Sequence, residues 1–292
     1  MTDTRPTLRL KPKANARAIR HGAPWVYDNE AVTDRRTKNI PVGAIAVLED
    51  GEREPLATVA VNTNSRIIAR VLDRDPAAVI DRAWIAARLA AAHAHREHLY
   101  DAPYYRLVHA EADGLPGVII DRFGDTCVVQ PNAAWADTLV DTLCAALISV
   151  TGVTNVLKNA AGRTRTLEGL DDVSAVLAGS APDGPIPAQM NGATYMADLI
   201  GGQKTGLFYD QRPNHAFAAR LSRGARVLDV FAHVGGFSLA ALAAGAESAV
   251  AVDGSAPALE LASQGAAAMG MSDKFTTHQG DAFDTLTALR AE

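Results

Sequence analysis

The chain has 292 residues, 28 Lys and Arg against 33 Asp and Glu for a net charge of −5, and two cysteines. A composition of 48% hydrophobic and 21% charged residues excludes a disordered chain and allows a substantial core. Two isolated cysteines exclude both a disulfide framework and a Cys-based zinc site.

The charge is unevenly spread. Residues 1–38 hold nine bases and four acids, a local balance of +5, which leaves −10 for the rest. Arg9, Lys11, Lys13, Arg17 and Arg20 follow one another with no intervening acid. Such a patch is the usual electrostatic footprint of a phosphate-backbone binder, and equally an ordinary solvated face. No apolar stretch follows to make this a secretory signal, and Phe237–Val252, interrupted by Ser238 and Glu247, falls short of a membrane span. A soluble cytoplasmic protein, with no membrane partner, is the expectation.

The first 75 residues read as β-rich. Val42–Leu48, Leu56–Val61 and Arg66–Leu72 are β-branched runs separated by turn-formers, which predicts a small barrel. Asp75-Pro76 breaks the pattern. Ile80, Trp84, Ala87 and Ala91 then recur at helical spacing through Leu99, with Arg88, His95 and Arg96 expected to face outward. Strands at Gly117–Asp121 and Thr126–Gln130, a helix over Ala134–Ser149 and a strand at Asn155–Lys158 complete a central α+β region. Gly179–Pro187 reads as a loop. These segments divide the chain into modules at 1–75, 76–190 and 191–292.

The last module alternates strand and helix, the signature of a parallel sheet. Arg226–Phe231 is a buried strand entering Gly235-Gly236 and a helix over Phe237–Ala244. Ser248–Val252 is a second strand ending at Asp253, Ala256–Met269 a second helix, and Phe275–His278 a third strand before Asp281. A strand end, a glycine turn and a helix start let a ligand approach the backbone closely. Asp253 lies 24 residues beyond Asp229, close to the spacing at which a carboxylate accepts from ribose hydroxyls. Asp281, at the next strand end, is placed to accept from an adenine amine. The turn lacks the third glycine of GxGxxG, which counts against a dinucleotide and suits an adenosyl cofactor without a pyrophosphate.

Several blocks carry a wider likeness: Gly202-Gln203-Lys204-Thr205-Gly206 with Asp210-Gln211-Arg212, Arg106–Gly124, Leu228–Ser238, Asp253-Gly254-Ser255 with Ala258-Leu259, Gly22–Tyr27 and Asn64-Ser65-Arg66. Over nearly its whole length the chain resembles the bacterial ribosomal-RNA large-subunit methyltransferases, class I enzymes dependent on S-adenosylmethionine (SAM) that carry an N-terminal PUA domain. Their best-known members make 5-methylcytosine in 23S rRNA. The resemblance implies an α/β fold class: an N-terminal PUA-like barrel, a central α+β domain and a partial Rossmann-like methyltransferase domain. It also implies that Asp229, Phe231, Gly235 and Phe237 shape the methionine end of a SAM pocket, with Asp253 at the ribose and Asp281 at the adenine. Lys204, Tyr209, Asp210, Gln211 and Arg212 would wall the cofactor and target base, Lys204 on the RNA side.

Departures from the family pattern are local. Ala232, His233 and Val234 occupy the middle of the glycine turn, His215 stands where an Arg is usual, and Gln264 and its alanines replace an Asn-containing helix. Methylating cytosine C5 requires a thiolate to attack C6. Cys127 and Cys144 lie in apolar segments and read as structural, and the family's Asp-Pro-Pro motif and catalytic cysteine do not occur, so no catalytic residue is assigned in this chain. The expectation is a C-terminally truncated rRNA methyltransferase with an incomplete sheet, whose exposed edges allow a homodimer. The alternatives are a non-catalytic RNA-binding relative and, against the basic N-terminal segment, a small-molecule methyltransferase. No metal site is expected.

Overall fold

A computed structural model describes residues 5–201 and 206–290. Lys204 and most of the GQKTG block lie outside the described residues. The chain groups into two compact units. The first takes the chain through Leu99 with Leu107–Ile120 and Asp125–Ser180, and the second takes Tyr100–Arg106, Asp121–Gly124 and the chain from Ala181 onward.

The first unit opens with β1 (Thr7–Arg9), α1 (Ala16–Arg20), β2 (Trp25–Tyr27), α2 (Arg35–Lys38), β3 (Ile45–Glu49), β4 (Pro55–Val61) and β5 (Ile67–Asp73). These five strands form one sheet in the order β1-β3-β4-β5-β2. Leu8, Leu48, Val59 and Ile68 fill its core, with Ile19 of α1 packed among them. The expected barrel does not close. β1 and β2, three residues each, stand at opposite edges, laddered to β3 and β5 and not to each other, and a single antiparallel bridge, Leu10–Ala31, links the segments beyond them. The result is a curled, open sheet.

The long helix, α3 (Arg82–Leu99), starts only where the Asp81 carboxylate accepts from the Trp84 amide at 2.8 Å. Its buried stripe is Ile85, Leu89 and Ala92, one position on from the stripe read from the sequence, so Ala87 and Ala91 are exposed. Alanine marks both faces of this helix and leaves the phase ambiguous. Arg88 and Arg96 are half-buried and ion-paired, to Asp73 at 2.7 Å and to Asp113 at 2.6 Å, whereas His95 is exposed.

β6 (Tyr104–His109), β7 (Val118–Phe123) and β8 (Thr126–Pro131) follow, then α4 (Ala134–Thr138), α5 (Val140–Thr151), β9 (Asn155–Lys158), α6 (Arg163–Glu168) and β10 (Ala175–Ala178). The sheet order is β10-β9-β8-β7-β6. The single helix expected over 134–149 is two, divided at Leu139. Cys127 and Cys144 are buried and unlinked.

In the second unit the hairpin β11 (Ile186–Met190) and β12 (Ala193–Ala197) precedes α7 (Arg212–Arg220). Then come β13 (Arg226–Val230), α8 (Gly236–Ala243), β14 (Ser248–Asp253), α9 (Ala256–Ala268), β15 (Phe275–Gln279) and α10 (Ala282–Leu289). β13, β14 and β15 form an all-parallel sheet in that order, with Asp229 opposite Ala251 and Asp253 opposite Gln279. Small residues let the helices lie close: Ala232, Ala251 and Leu259 pack together, as do Ala241, Leu242 and Ala249. Among the described residues no helix is long and apolar enough to cross a membrane.

Candidate functional site

The turn from β13 into α8 is the most strained backbone of this sheet. Phe231 (φ 64°), His233 (φ 51°) and Gly235 (φ 78°) all adopt left-handed conformations, two of them without the freedom of glycine. Each non-glycine residue there costs about 1–2 kcal/mol, so neighbouring contacts must impose the shape. Two carboxylates impose it. Asp253, at the end of β14, accepts from the His233 amide at 2.8 Å through Oδ2 and from the Ser255 amide at 2.8 Å through Oδ1. Asp229, only 5% exposed, accepts from the Ser238 amide at 2.9 Å and so caps the first turn of α8. Burial pushes the Asp229 carboxyl above the usual carboxylate range. The Ser238 amide opposes that shift and the charge of Asp253 adds to it.

The turn opens on a pocket of about 380 Å³. The backbone from Val230 to Val234 and Phe237 form one wall. Met190 and Tyr195 of the hairpin form another, and Leu207, Phe208, Gln211 and His215 a third. Phe231 is 74% exposed at the rim. Gly236 is obligatory on packing grounds, because a Cβ there would meet the His215 ring at 2.6 Å.

The residues singled out in the sequence divide around this pocket. Phe231, Phe237 and Gln211 line it, and Gly235 and Asp229 shape its turn. Asp253 braces the turn and does not line the pocket. Asp281 is exposed and caps α10, accepting from the Phe283 amide at 2.8 Å. Tyr209 is buried with its hydroxyl donating to the Arg122 carbonyl at 2.9 Å. Arg212 turns away from the pocket, donating to the Tyr104 carbonyl at 2.7 Å with its guanidinium 4.0 Å over the Tyr100 ring. Asp210 faces Arg106 at 3.8 Å. Arg106 is itself clamped to the fully buried Asp121 at 2.8 and 3.1 Å, a pairing that holds its charge against the cost of burial.

Tyr195, Phe208 and Met190 were not expected in the site, and His215 was singled out only as a departure from the family pattern. The available signal was helical: His215 follows Gln211, the N-cap of α7, by four residues, which sets both on one side of the helix start. His215 is 6% exposed, stacks against Tyr195 and meets Phe237 edge-on at 4.5 Å. Burial drives its pKa down to about 4, opposed by Asp210, so the ring is neutral at pH 7. Its Nδ1 is buried without a hydrogen-bond partner.

On the first sheet, Lys11, Lys13, Arg17 and Arg20 are exposed around α1. Lys11 donates to the Asn29 carbonyl at 2.9 Å and Arg20 pairs with Asp50 at 3.0 Å. Arg9 lines a separate polar concavity of about 350 Å³ with Arg36, Arg53, Asp34 and Glu49. Among the described residues no cluster of His, Cys, Asp and Glu is arranged to hold a metal ion.

A parallel β-α-β sheet with a strained, carboxylate-braced turn at its first strand end defines a SAM-dependent methyltransferase fold, and the comparisons agree. A PUA-like domain family matches residues 8–74, and an S-adenosylmethionine-dependent methyltransferase family matches residues 169–270. The chain is 35% identical to ribosomal RNA large subunit methyltransferase I of Shewanella denitrificans, over 98% of this chain and 72% of that protein. It is equally similar to a ribosomal RNA large subunit methyltransferase of Deinococcus radiodurans, over 97% of this chain and 72% of that protein. A methyltransferase structure solved with S-adenosylhomocysteine (SAH) superposes with a TM-score of 0.81 at 20% identity, covering 98% of this chain and 72% of that one, a likeness of fold. The chain belongs to the ribosomal RNA large subunit methyltransferase I family. Its cofactor is SAM. The residues present fit that group: the backbone of the turn faces a pocket of about 380 Å³ whose walls are largely apolar, with Gln211, His215 and His233 as its polar groups.

Proposed function

We propose that this chain serves methyl transfer from SAM to ribosomal RNA, with C5 of a cytosine in 23S rRNA as the acceptor. The observation that carries the reading is the Phe231–Gly235 turn, held in a costly conformation by Asp253 and opening on the pocket. Backbone strain that two neighbours over-determine belongs to sites that must be preorganised. Asp229, Phe231, Gly235 and Phe237 form the methionine end. Asp253, whose oxygens each keep a free lone pair, meets the ribose, and Asp281 lies on the adenine side. Tyr209, Asp210, Gln211 and Arg212 stiffen the wall beside the target base. Bound SAM supplies an electrophilic methyl group.

RNA meets the basic face at Lys11, Lys13, Arg17 and Arg20, with Arg9 on the neighbouring concavity, and the target base flips out of its stack to reach the pocket. C5 chemistry also needs a thiolate at C6. Cys127 and Cys144 are buried, and burial raises the Cys144 thiol, so neither supplies it. This chain binds cofactor and RNA, and its two buried cysteines support no transfer of a methyl group to C5.

The test pairs two assays. A 23S rRNA fragment titrated at several salt concentrations should bind with an affinity that falls steeply as salt rises. The same RNA with tritiated SAM should gain no methyl at C5. Salt-independent or absent RNA binding would contradict the substrate assignment, and 5-methylcytosine formed by this chain would contradict the account of its cysteines.

A further inference from the structure

The pocket has an apolar character interrupted by Gln211, His215 and His233. His215 projects from α7 between Tyr195 of β12 and Phe237 of α8, and its ring lines the cavity. Nδ1 is sealed off without a partner, which leaves Nε2 as the nitrogen a ligand meets.

We propose that His215 binds the carboxylate at the methionine end of the cofactor and takes up a proton as that carboxylate arrives. The inference rests on the SAM-pocket reading above and gives His215 a role in that pocket.

The charged and titratable surroundings support a proton moving to this ring. From its own side, Asp210 is the group whose charge acts on His215, and it favours the protonated form. Arg212, one turn earlier on α7, points its guanidinium at Tyr100 and Tyr104, away from the cavity. From β12, the Tyr195 phenol donates to the Gly236 carbonyl at 3.1 Å, and burial keeps it protonated. From the β13 side, Asp229 is closed onto the Ser238 amide. From the turn after β13, His233 lines the same pocket with its ring edge-on to Phe208. No fixed cation competes for an arriving carboxylate among these described neighbours, and the neutral His215 ring becomes a cation once an anion is beside it. With a pKa of about 4 in the free protein, the ring is about 1% protonated at pH 6. An anion within 4–6 Å raises a pKa by about 1–3 units, which brings a bound value to the range where proton uptake at pH 6 is measurable.

The experiment is isothermal titration of the full chain with SAH at pH 6 in two buffers of different ionisation enthalpy. Wild type should take up about half a proton per SAH bound, and its affinity should strengthen as pH falls from 7 to 5. 5′-Methylthioadenosine, which keeps the adenosine and sulfur but lacks the carboxylate, should bind without uptake. His215→Phe, which keeps the stacking with Tyr195 and Phe237, should bind SAH at least about tenfold more weakly and take up no proton. His215→Arg, permanently charged, should bind SAH without uptake. SAH binding with no proton uptake by wild type, or uptake that persists in His215→Phe, overturns the inference while leaving the methyltransferase reading standing. No SAH binding by wild type overturns both.

Discussion

The Asp253 carboxylate reaches from the end of β14 to the backbone of His233, 2.8 Å away on the turn that follows β13. One side chain thus fixes the shape of a loop on the neighbouring strand. Its other oxygen holds Ser255, the residue that caps α9 by accepting from the Ala258 amide. The acid at the second strand end is therefore a brace for two turns before it is a ligand group. Asp253→Asn keeps the volume but sets an amide N–H against a backbone N–H. The expected result is an SAH affinity about tenfold weaker and a stability loss of about 1–2 kcal/mol, measured by calorimetry and denaturant unfolding.

Gly236→Ala tests the packing of the pocket. The added Cβ would lie 2.6 Å from the His215 ring, so the ring must leave its place between Tyr195 and Phe237. Overpacking of this kind costs about 1–3 kcal/mol. Weaker SAH binding and a lower melting temperature are expected together; an unchanged SAH affinity would show that the ring position does not matter to the site.

His215 also sets a pH dependence. Its pKa falls from 6.5 to about 4 on folding, so the unfolded chain binds the extra proton. Stability from this group is fully present above pH 6.5 and is lost as pH falls toward 4, by about 3 kcal/mol in total. Carboxylates with lowered pKa values, such as Asp73 and Asp137, lose stability on the acid side as well. The difference between wild type and His215→Phe isolates the histidine: denaturant midpoints at pH 7 and pH 4.5 should converge less steeply with acid in the variant.

In the first unit, Glu168 at the end of α6 is 3% exposed and accepts from Arg70 at 2.9 Å, Asn62 at 2.9 Å and Ser65 at 3.0 Å. This network ties α6 to β5 and to the turn between β4 and β5. Glu168→Ala strands the buried Arg70 guanidinium, leaving it only Glu111 at 3.2 Å. A loss of about 3–5 kcal/mol is expected in urea unfolding, with the Arg70→Met, Glu168→Leu double variant recovering much of it.

The sequence made the β13–β15 sheet readable because its strands are β-branched runs, each closed by a turn signal or an acid. Their observed limits differ by a residue or so from expectation. The edges of the first sheet were not readable: β1 and β2 hold three residues apiece, below the length at which alternation can be recognised, and their shortness is also why the barrel stays open. For α3, an alanine-rich helix offered two equivalent phases, and the ion pairs of Arg88 and Arg96 settle which one is buried. In the site, local motifs pointed to Asp229, Asp253 and the glycine turn. The opposite wall is built by the β11–β12 hairpin and α7, which approach the turn only through the fold. Tyr195 belongs to that wall and carries no local signature, and His215 carries only its spacing from Gln211 and its departure from the family pattern.

The most direct measurement is hydrogen–deuterium exchange of the full chain with and without SAH. The account predicts slowed exchange at residues 229–238, at 253–255 and at the hairpin around Tyr195, with no protection of the Lys11–Arg20 face. SAH that binds while leaving the Phe231–Gly235 turn and Tyr195 unprotected, or that fails to bind, would contradict the placement of the cofactor in this pocket.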